Sequence, residues 1–167
     1  VNRTARQWPL LALVASAALL AAAHAFETFG HLMPCELCLK QRDVYWATMA
    51  VAAAGLLWML VARGRAPIRW INAVIALAFA AEAAVAIYHA GVEWKFWPGP
   101  QSCSGGALKV SAAALERLLS GAHMGVPACD KPAWIFLGLS MAGWNAVAAL
   151  ILTAASVAAS VRVRPTP

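Results

Sequence analysis

Four cysteines carry the chemistry written into this chain, and they come in two unlike pairs. Cys35 and Cys38 form a tight C-x-x-C at the mouth of an apolar stretch, whereas Cys103 and Cys129 stand far apart in the one long polar loop. Two dithiol/disulfide pairs beside a lipid phase point to electrons moving from thiols to an acceptor dissolved in that lipid. Pro34 precedes the C-x-x-C. Proline is favoured in the first turn of a helix, which predicts Cys35 and Cys38 at or near a helix start. A thiolate there is favoured by unpaired N–H groups and the positive end of the helix dipole. Lys40 and Arg42 add positive potential and Glu36 opposes it, so the balance lies toward a reactive thiolate. Arg42 follows Cys38 by one helical turn and shares its face. Such an arginine is either an interfacial anchor or a planar donor fork for a carbonyl that gains negative charge as electrons arrive.

The second pair has two readings. Loop cysteines in an oxidising compartment are by default a structural staple. Against that, Gly105-Gly106 and Pro100 lie near Cys103, and Pro127 and Asp130 flank Cys129. Exposed disulfides on mobile loops exchange readily.

The elements that must position these cysteines are membrane helices. The chain of 167 residues is 62% hydrophobic and 12% charged, about half the charge of an ordinary soluble domain. Four apolar stretches, at about 10–29, 44–62, 71–90 and 133–159, approach or exceed the roughly 20 residues that cross a bilayer core. The expectation is an all-α membrane protein, a four-transmembrane-helix bundle forming a single domain over 1–167. Because alanine is so common, close packing of small residues should hold the bundle, with Gly138 and Ala142 one candidate contact. Loops at about 30–43 and 91–132 carry the cysteines. Within the second, Leu108, Leu115, Leu118 and Leu119 fall at helical spacing beside Lys109, Glu116 and Arg117, which predicts a short amphipathic helix on the membrane surface or the bundle.

The net charge of +6 does not indicate a nucleic-acid partner, because of how it is distributed. Arg3 and Arg6, then Arg63, Arg65 and Arg69, then Arg162 and Arg164 lie in three segments without acids. The remaining basic residues share their loops with Glu27, Glu36, Asp43, Glu93, Glu116 and Asp130. This positive-inside pattern predicts cytoplasmic termini and all four cysteines on the opposite side. Arg3 and Arg6 followed by apolar residues and Ala21-Ala22-Ala23 also mimic a cleavable leader. The length of the apolar run, through Phe26 and Phe29, favours a retained first span.

Glu82 falls near the middle of the third span, where an ionised carboxylate is costly. It is expected to face the bundle interior as a hydrogen-bonded acid, with a proton relay as the alternative. Asn72 and Asn145 read as interhelical hydrogen bonds. Trp8, Trp46, Trp70, Trp94, Trp97 and Trp134 fall near span ends as an aromatic belt. His24, His31 and His123 receive no role.

The run Met33-Pro34-Cys35-Glu36-Leu37-Cys38-Leu39-Lys40-Gln41-Arg42 resembles the C-x-x-C-x-x-x-R signature of the DsbB family of disulfide-bond formation proteins. Tyr88-His89-Ala90-Gly91-Val92-Glu93 and Trp97-Pro98-Gly99-Pro100-Gln101-Ser102-Cys103 resemble that family's third-span exit and loop. Cys129-Asp130 and Phe136-Leu137-Gly138-Leu139-Ser140-Met141-Ala142-Gly143-Trp144-Asn145 resemble the approach to its fourth span. The likeness runs in order along essentially the whole chain. It implies a protein-dithiol:quinone oxidoreductase of the bacterial inner membrane, with periplasmic cysteines, serving disulfide-bond formation. A reduced DsbA-like periplasmic thiol oxidase would attack a Cys103–Cys129 disulfide at Cys103. Electrons would pass to Cys35/Cys38 and leave through Cys38 to the membrane quinone pool, ubiquinone or menaquinone. The resemblance implies Arg42 and His89 at the quinone site, with Met141 lining it.

Competing readings are a zinc site built from the four cysteines, a haem carrier using His24 and His89, and a reductase running electrons outward. Zinc ribbons use two close cysteine pairs, and here one pair is split. His24 and His89 approach the same membrane face, which disfavours haem electron transfer across the bilayer.

Overall fold

Apolar residues rich in alanine and leucine continue as helix until a breaker stops them, and here each run is long. The computed structural model describes residues 3–62, 67–100, 103 and 128–162. Its helices are α1 (Arg3–Thr28), α2 (Glu36–Val61), α3 (Ile68–Glu93) and α4 (Met141–Val161), with a small hairpin, β1 (Ile135–Phe136) and β2 (Leu139–Ser140), before α4. All four helices are long and apolar enough to cross a membrane. The first three begin before the apolar stretches that predict them, α2 by eight residues. Glu36, Lys40, Gln41 and Arg42 are good helix formers, so hydropathy marks the lipid-facing length and not the helix end.

The bundle is inside-out relative to a soluble protein. Leu10, Leu57, Leu60, Leu77, Leu150 and Ile151 are exposed, while Ser16, Thr48, Asn72, Glu82 and Ser156 are buried. Large exposed apolar faces suit lipid, and small interior residues let helices approach. A methyl group on Gly55 would lie 2.5 Å from Ile71 Cγ2, which shows how closely α2 and α3 meet. α3 is the most buried helix and packs on all three others. Tyr45, Ile71, Ile75 and Phe79 centre the main core. As expected, Asn72 bridges helices, donating to the Ala5 and Ala159 carbonyls at 3.0 and 3.4 Å. Trp8 is drawn inward to Ser156 Oγ at 2.9 Å, whereas Trp46, Trp70 and Trp94 remain exposed.

The fourth span starts at Met141 rather than near 133. Residues 135–140 pair as a hairpin in register Ile135↔Ser140 and Phe136↔Leu139. Its two turn residues, Leu137 and Gly138, have φ of 49° and 80°, the left-handed pair that a two-residue hairpin turn requires. Gly138 therefore serves the turn and not a Gly138–Ala142 helix contact; nothing lies within 4 Å of where its Cβ would be. Ser140 then caps α4 by accepting from Gly143 N at 3.1 Å. The amphipathic helix expected within 108–119 lies outside the described residues. So do Arg63, Arg65, Gly105, Gly106, His123, Pro127 and Arg164.

Candidate functional site

Cys35 is the N-cap of α2, with extended backbone and a sulfur that accepts from Cys38 N at 3.3 Å. That bond fills one of the orphan donors of the first turn. It also puts Pro34 one residue outside the helix and not in its first turn. The Cys35 and Cys38 sulfurs are free and 2.7 Å apart, a sub-ångström movement from disulfide length. The Cys35 thiol is held well above the ordinary thiol range, first by its hydrogen bond with Cys38 and then by burial.

Cys103 and Cys129 are joined in a disulfide, and both are buried. With Cys35, Leu37 and Val92 they form one buried cluster, against which Cys38 packs. Both pairs, distant in sequence, are thus collected at one end of the bundle. Several contacts fasten the loop there. Cys103 N donates to Pro100 O at 2.8 Å and Cys129 N to Cys103 O at 3.4 Å. Trp97 stacks on Tyr88, with centroids 6.0 Å apart and planes 6° from parallel, and its Nε1 donates to Tyr88 O at 2.8 Å. Lys95 Nζ donates to Asp130 O at 2.8 Å and pairs with its carboxylate. The ammonium holds the Asp130 carboxyl below the usual carboxylate range.

Beneath the cluster lies a cavity of about 390 Å³. Leu20 and Phe26 of α1, Trp134 and Met141 give it apolar walls, and Cys38, Arg42 and His89 line it too. Apolar walls with a few convergent polar groups are the usual make-up of a small-molecule site. Among the residues expected at the site, Cys35, Cys38, Arg42, His89 and Met141 all line this one cavity. Arg42 reaches across to α1, where NH1 donates to Glu27 at 2.5 Å and NH2 to Ala23 O at 3.3 Å. The guanidinium keeps further N–H groups beyond those two. His89 is buried, with Nε2 3.5 Å from Cys35 Sγ and 3.9 Å from Glu93 Oε1. Cys35, Cys38 and His89 place three potential metal-donor atoms within 4.8 Å of one another. The four-cysteine zinc alternative does not fit, since Cys103 and Cys129 are spent in a disulfide.

The family model described as "Disulfide bond formation protein DsbB" matches residues 5–159. The chain belongs to the DsbB family. Disulfide bond formation protein B 2 of Pseudomonas entomophila (strain L48) is 32% identical over 152 residues, covering 89% of this chain and 86% of the relative. Disulfide bond formation protein B of Methylococcus capsulatus (strain ATCC 33009 / NCIMB 11132 / Bath) is 31% identical over 156 residues, covering 92% and 93%. No solved structure matches significantly. DsbB membership gives the chain an oxidoreductase role in disulfide-bond formation, and its four apolar helices make it a multi-pass membrane protein.

Beyond the residues that the DsbB likeness nominates, the structure adds Glu27, Gln41, Tyr45 and Glu93. Gln41 and Tyr45 follow Cys38 at three and seven residues, so helical periodicity carried the signal for both. Glu93 lies one turn after His89, and its carboxylate accepts from the Ser140 hydroxyl. Glu27 shows no such pattern; only the fold brings α1 against Arg42.

Proposed function

We propose that the protein reoxidises a DsbA-like periplasmic thiol oxidase and delivers the electrons to membrane quinone. The observation that carries this reading is the gathering of all four cysteines into one buried cluster directly beside an apolar-walled cavity that Cys38 lines. A donor thiolate attacks Cys103, forming a mixed disulfide and releasing Cys129 as thiolate. The donor's second thiolate resolves it, so the donor leaves oxidised and Cys103 and Cys129 are left as a dithiol. That dithiol reduces the Cys35–Cys38 disulfide by the same exchange, and the Cys103–Cys129 bond reforms. Contact within one cluster makes the second exchange intramolecular.

Quinone, when bound, takes up the two electrons and two protons of the Cys35/Cys38 dithiol. The cavity fits such a group in volume and in character, with apolar walls and a few polar groups. Arg42 would offer N–H groups to a quinone carbonyl, while His89 and Met141 form part of the wall. Cys38 is the exit sulfur because it shares the helical face of Arg42 and is the less buried of the two cysteines. In this reading both termini are cytoplasmic and the cysteines periplasmic, as the arginine distribution supports.

Cysteine variants test the relay order. Cys38→Ala abolishes quinone reduction while the protein remains inserted. Cys103→Ala blocks electron uptake from the donor, yet quinone still oxidises Cys35/Cys38. Quinone reduction at the original rate by Cys38→Ala, or undiminished donor turnover by Cys103→Ala, would sink the assignment.

A further inference from the structure

Inside the bundle, polar side chains from α2, α3 and α4 form a continuous hydrogen-bonded chain that ends at the C-x-x-C. Its directions follow from donor and acceptor chemistry. The Tyr45 hydroxyl donates to Asn145 Oδ1 at 2.6 Å. The Asn145 amide nitrogen therefore faces two oxygens, Gln41 Oε1 at 3.0 Å and Glu82 Oε1 at 2.6 Å. With its oxygen taken, Gln41 turns its own amide nitrogen to His89 Nδ1, 3.1 Å away. An amide N–H only donates, so Nδ1 is the bare nitrogen and the ring proton sits on Nε2. The surroundings of Nε2 agree, since Cys35 Sγ and Glu93 Oε1 are acceptors.

We propose that Asn145, locked by Glu82 and Tyr45, sets through Gln41 which nitrogen of His89 is protonated, and so aims the Cys35 thiol proton at Cys38. This deepens the reading of Cys35/Cys38 as the redox pair and rests on it. Cys35 Sγ already accepts from Cys38 N, and His89 Nε2–H adds a second donor. With donors on both sides, the Cys35 S–H has Cys38 Sγ, 2.7 Å away, as its acceptor. Negative charge then gathers on Cys38, the less buried of the two cysteines. With the proton on Nδ1 instead, Nε2 would present a lone pair to Cys35 and take that hydrogen bond from Cys38. The same arrangement withdraws Nε2 from metal binding, which requires a bare nitrogen, so the three convergent donors act as a redox site. Glu82, Asn145 and Gln41 are positioning residues here. The fully buried Glu82 is thereby the far end of the chain that orients His89.

The test reads the tautomer directly, on the full chain in detergent with Cys35/Cys38 reduced and neither donor nor quinone present. Histidine is isotope-labelled at both ring nitrogens, long-range proton–nitrogen correlations report which one is protonated, and His89 is identified by its loss in His89→Gln. Wild type should show protonated Nε2 and bare Nδ1. Gln41→Glu, of equal size, replaces the donor by an acceptor and should move the proton to Nδ1. Glu82→Gln still offers Asn145 an oxygen and should keep the wild-type tautomer. Alkylation of Cys38 at neutral pH should slow about tenfold in Gln41→Glu, the scale of one lost hydrogen bond to a charged group, and stay near wild type in Glu82→Gln. A wild-type protein with its proton on Nδ1 overturns the proposal whatever the variants do. A folded Gln41→Glu protein with the wild-type tautomer overturns it too. Neither result touches the relay, which is read from quinone reduction, and a failed relay would leave the spectrum unchanged.

Discussion

Gly91→Ala should make the loop disulfide easier for a donor to attack, although Gly91 touches neither sulfur. A Cβ at Gly91 would lie 2.0 Å from Trp97 Cζ2, 2.4 Å from Cε2 and 2.7 Å from Cη2. Carbon atoms pack at roughly 3.5–4.0 Å, so the indole must leave its place by more than about 1 Å. It then loses its stacking on Tyr88, about 0.5–1.5 kcal/mol, and its hydrogen bond to Tyr88 O, about 0.5–1.5 kcal/mol. The fastening of the Trp97–Pro100 turn weakens by about 1–3 kcal/mol in total, which raises its open population about fivefold to a hundredfold. Cys103 is only 2% exposed and its N–H is tied to Pro100 O, so a donor thiolate reaches it from the open form. Mixed-disulfide formation should therefore accelerate at least severalfold. Transfer within the closed cluster should change little while the closed form remains in the majority. A donor carrying only its attacking cysteine traps the mixed disulfide in a single turnover, and rapid acid quench gives the rate. An unchanged or slower rate, in a protein whose loop is shown to be loosened by proteolysis, would refute the reasoning.

Two further outcomes follow from the site. Arg42→Lys keeps the charge and a pairing with Glu27 but loses the planar fork and the bond to Ala23 O. The kcat/KM for quinone should fall about ten- to a hundredfold, mostly through KM, with donor exchange at Cys103/Cys129 unchanged; unaltered quinone dependence in the inserted protein would make Arg42 a membrane-edge anchor. Reduced protein treated with iodoacetamide near neutral pH should be modified at Cys38 before Cys35, because Cys35 is buried and its thiol pushed up. Cys38→Ala removes the leading cause of that shift, so Cys35 should ionise at lower pH and react faster; first modification at Cys35 in the parent protein would contradict the assigned charge distribution.

Chemistry and topology were readable from residues with short-range patterns. The C-x-x-C, Arg42 one turn beyond it and the four apolar runs each lie within a single element, and periodicity reports on single elements. The helix start at Glu36 was not readable from hydropathy, since polar helix formers continue a helix past the lipid boundary. Hydropathy makes the fourth span too long because Ile135, Phe136, Leu137 and Leu139 are as apolar as a span. The turn at Leu137-Gly138 shows only in backbone conformation. Glu82 and Asn145 were legible as interior polar groups, but the order in which they reach His89 depends on how α2, α3 and α4 register against one another. Glu27 was visible only as loop charge, because its partner comes from a different helix.

The fastening of Lys95 and Cys103 to Asp130 and Cys129 has a consequence for how such a chain tolerates change. Cys103 and Cys129 have their Cα atoms 5.1 Å apart, and Lys95–Asp130 closes the same gap independently of the sulfurs. The described chain therefore breaks off at Cys103 and resumes at Ala128 with its two ends tied together twice. Between ends tied this closely, doubling the length of a connecting loop adds in general only about 0.6 kcal/mol of closure entropy. Insertions there should leave the cavity, the His89 chain and the cysteine cluster in place, so this position is open ground on which donor selectivity can be varied, or a foreign domain grafted, without redesigning the membrane core.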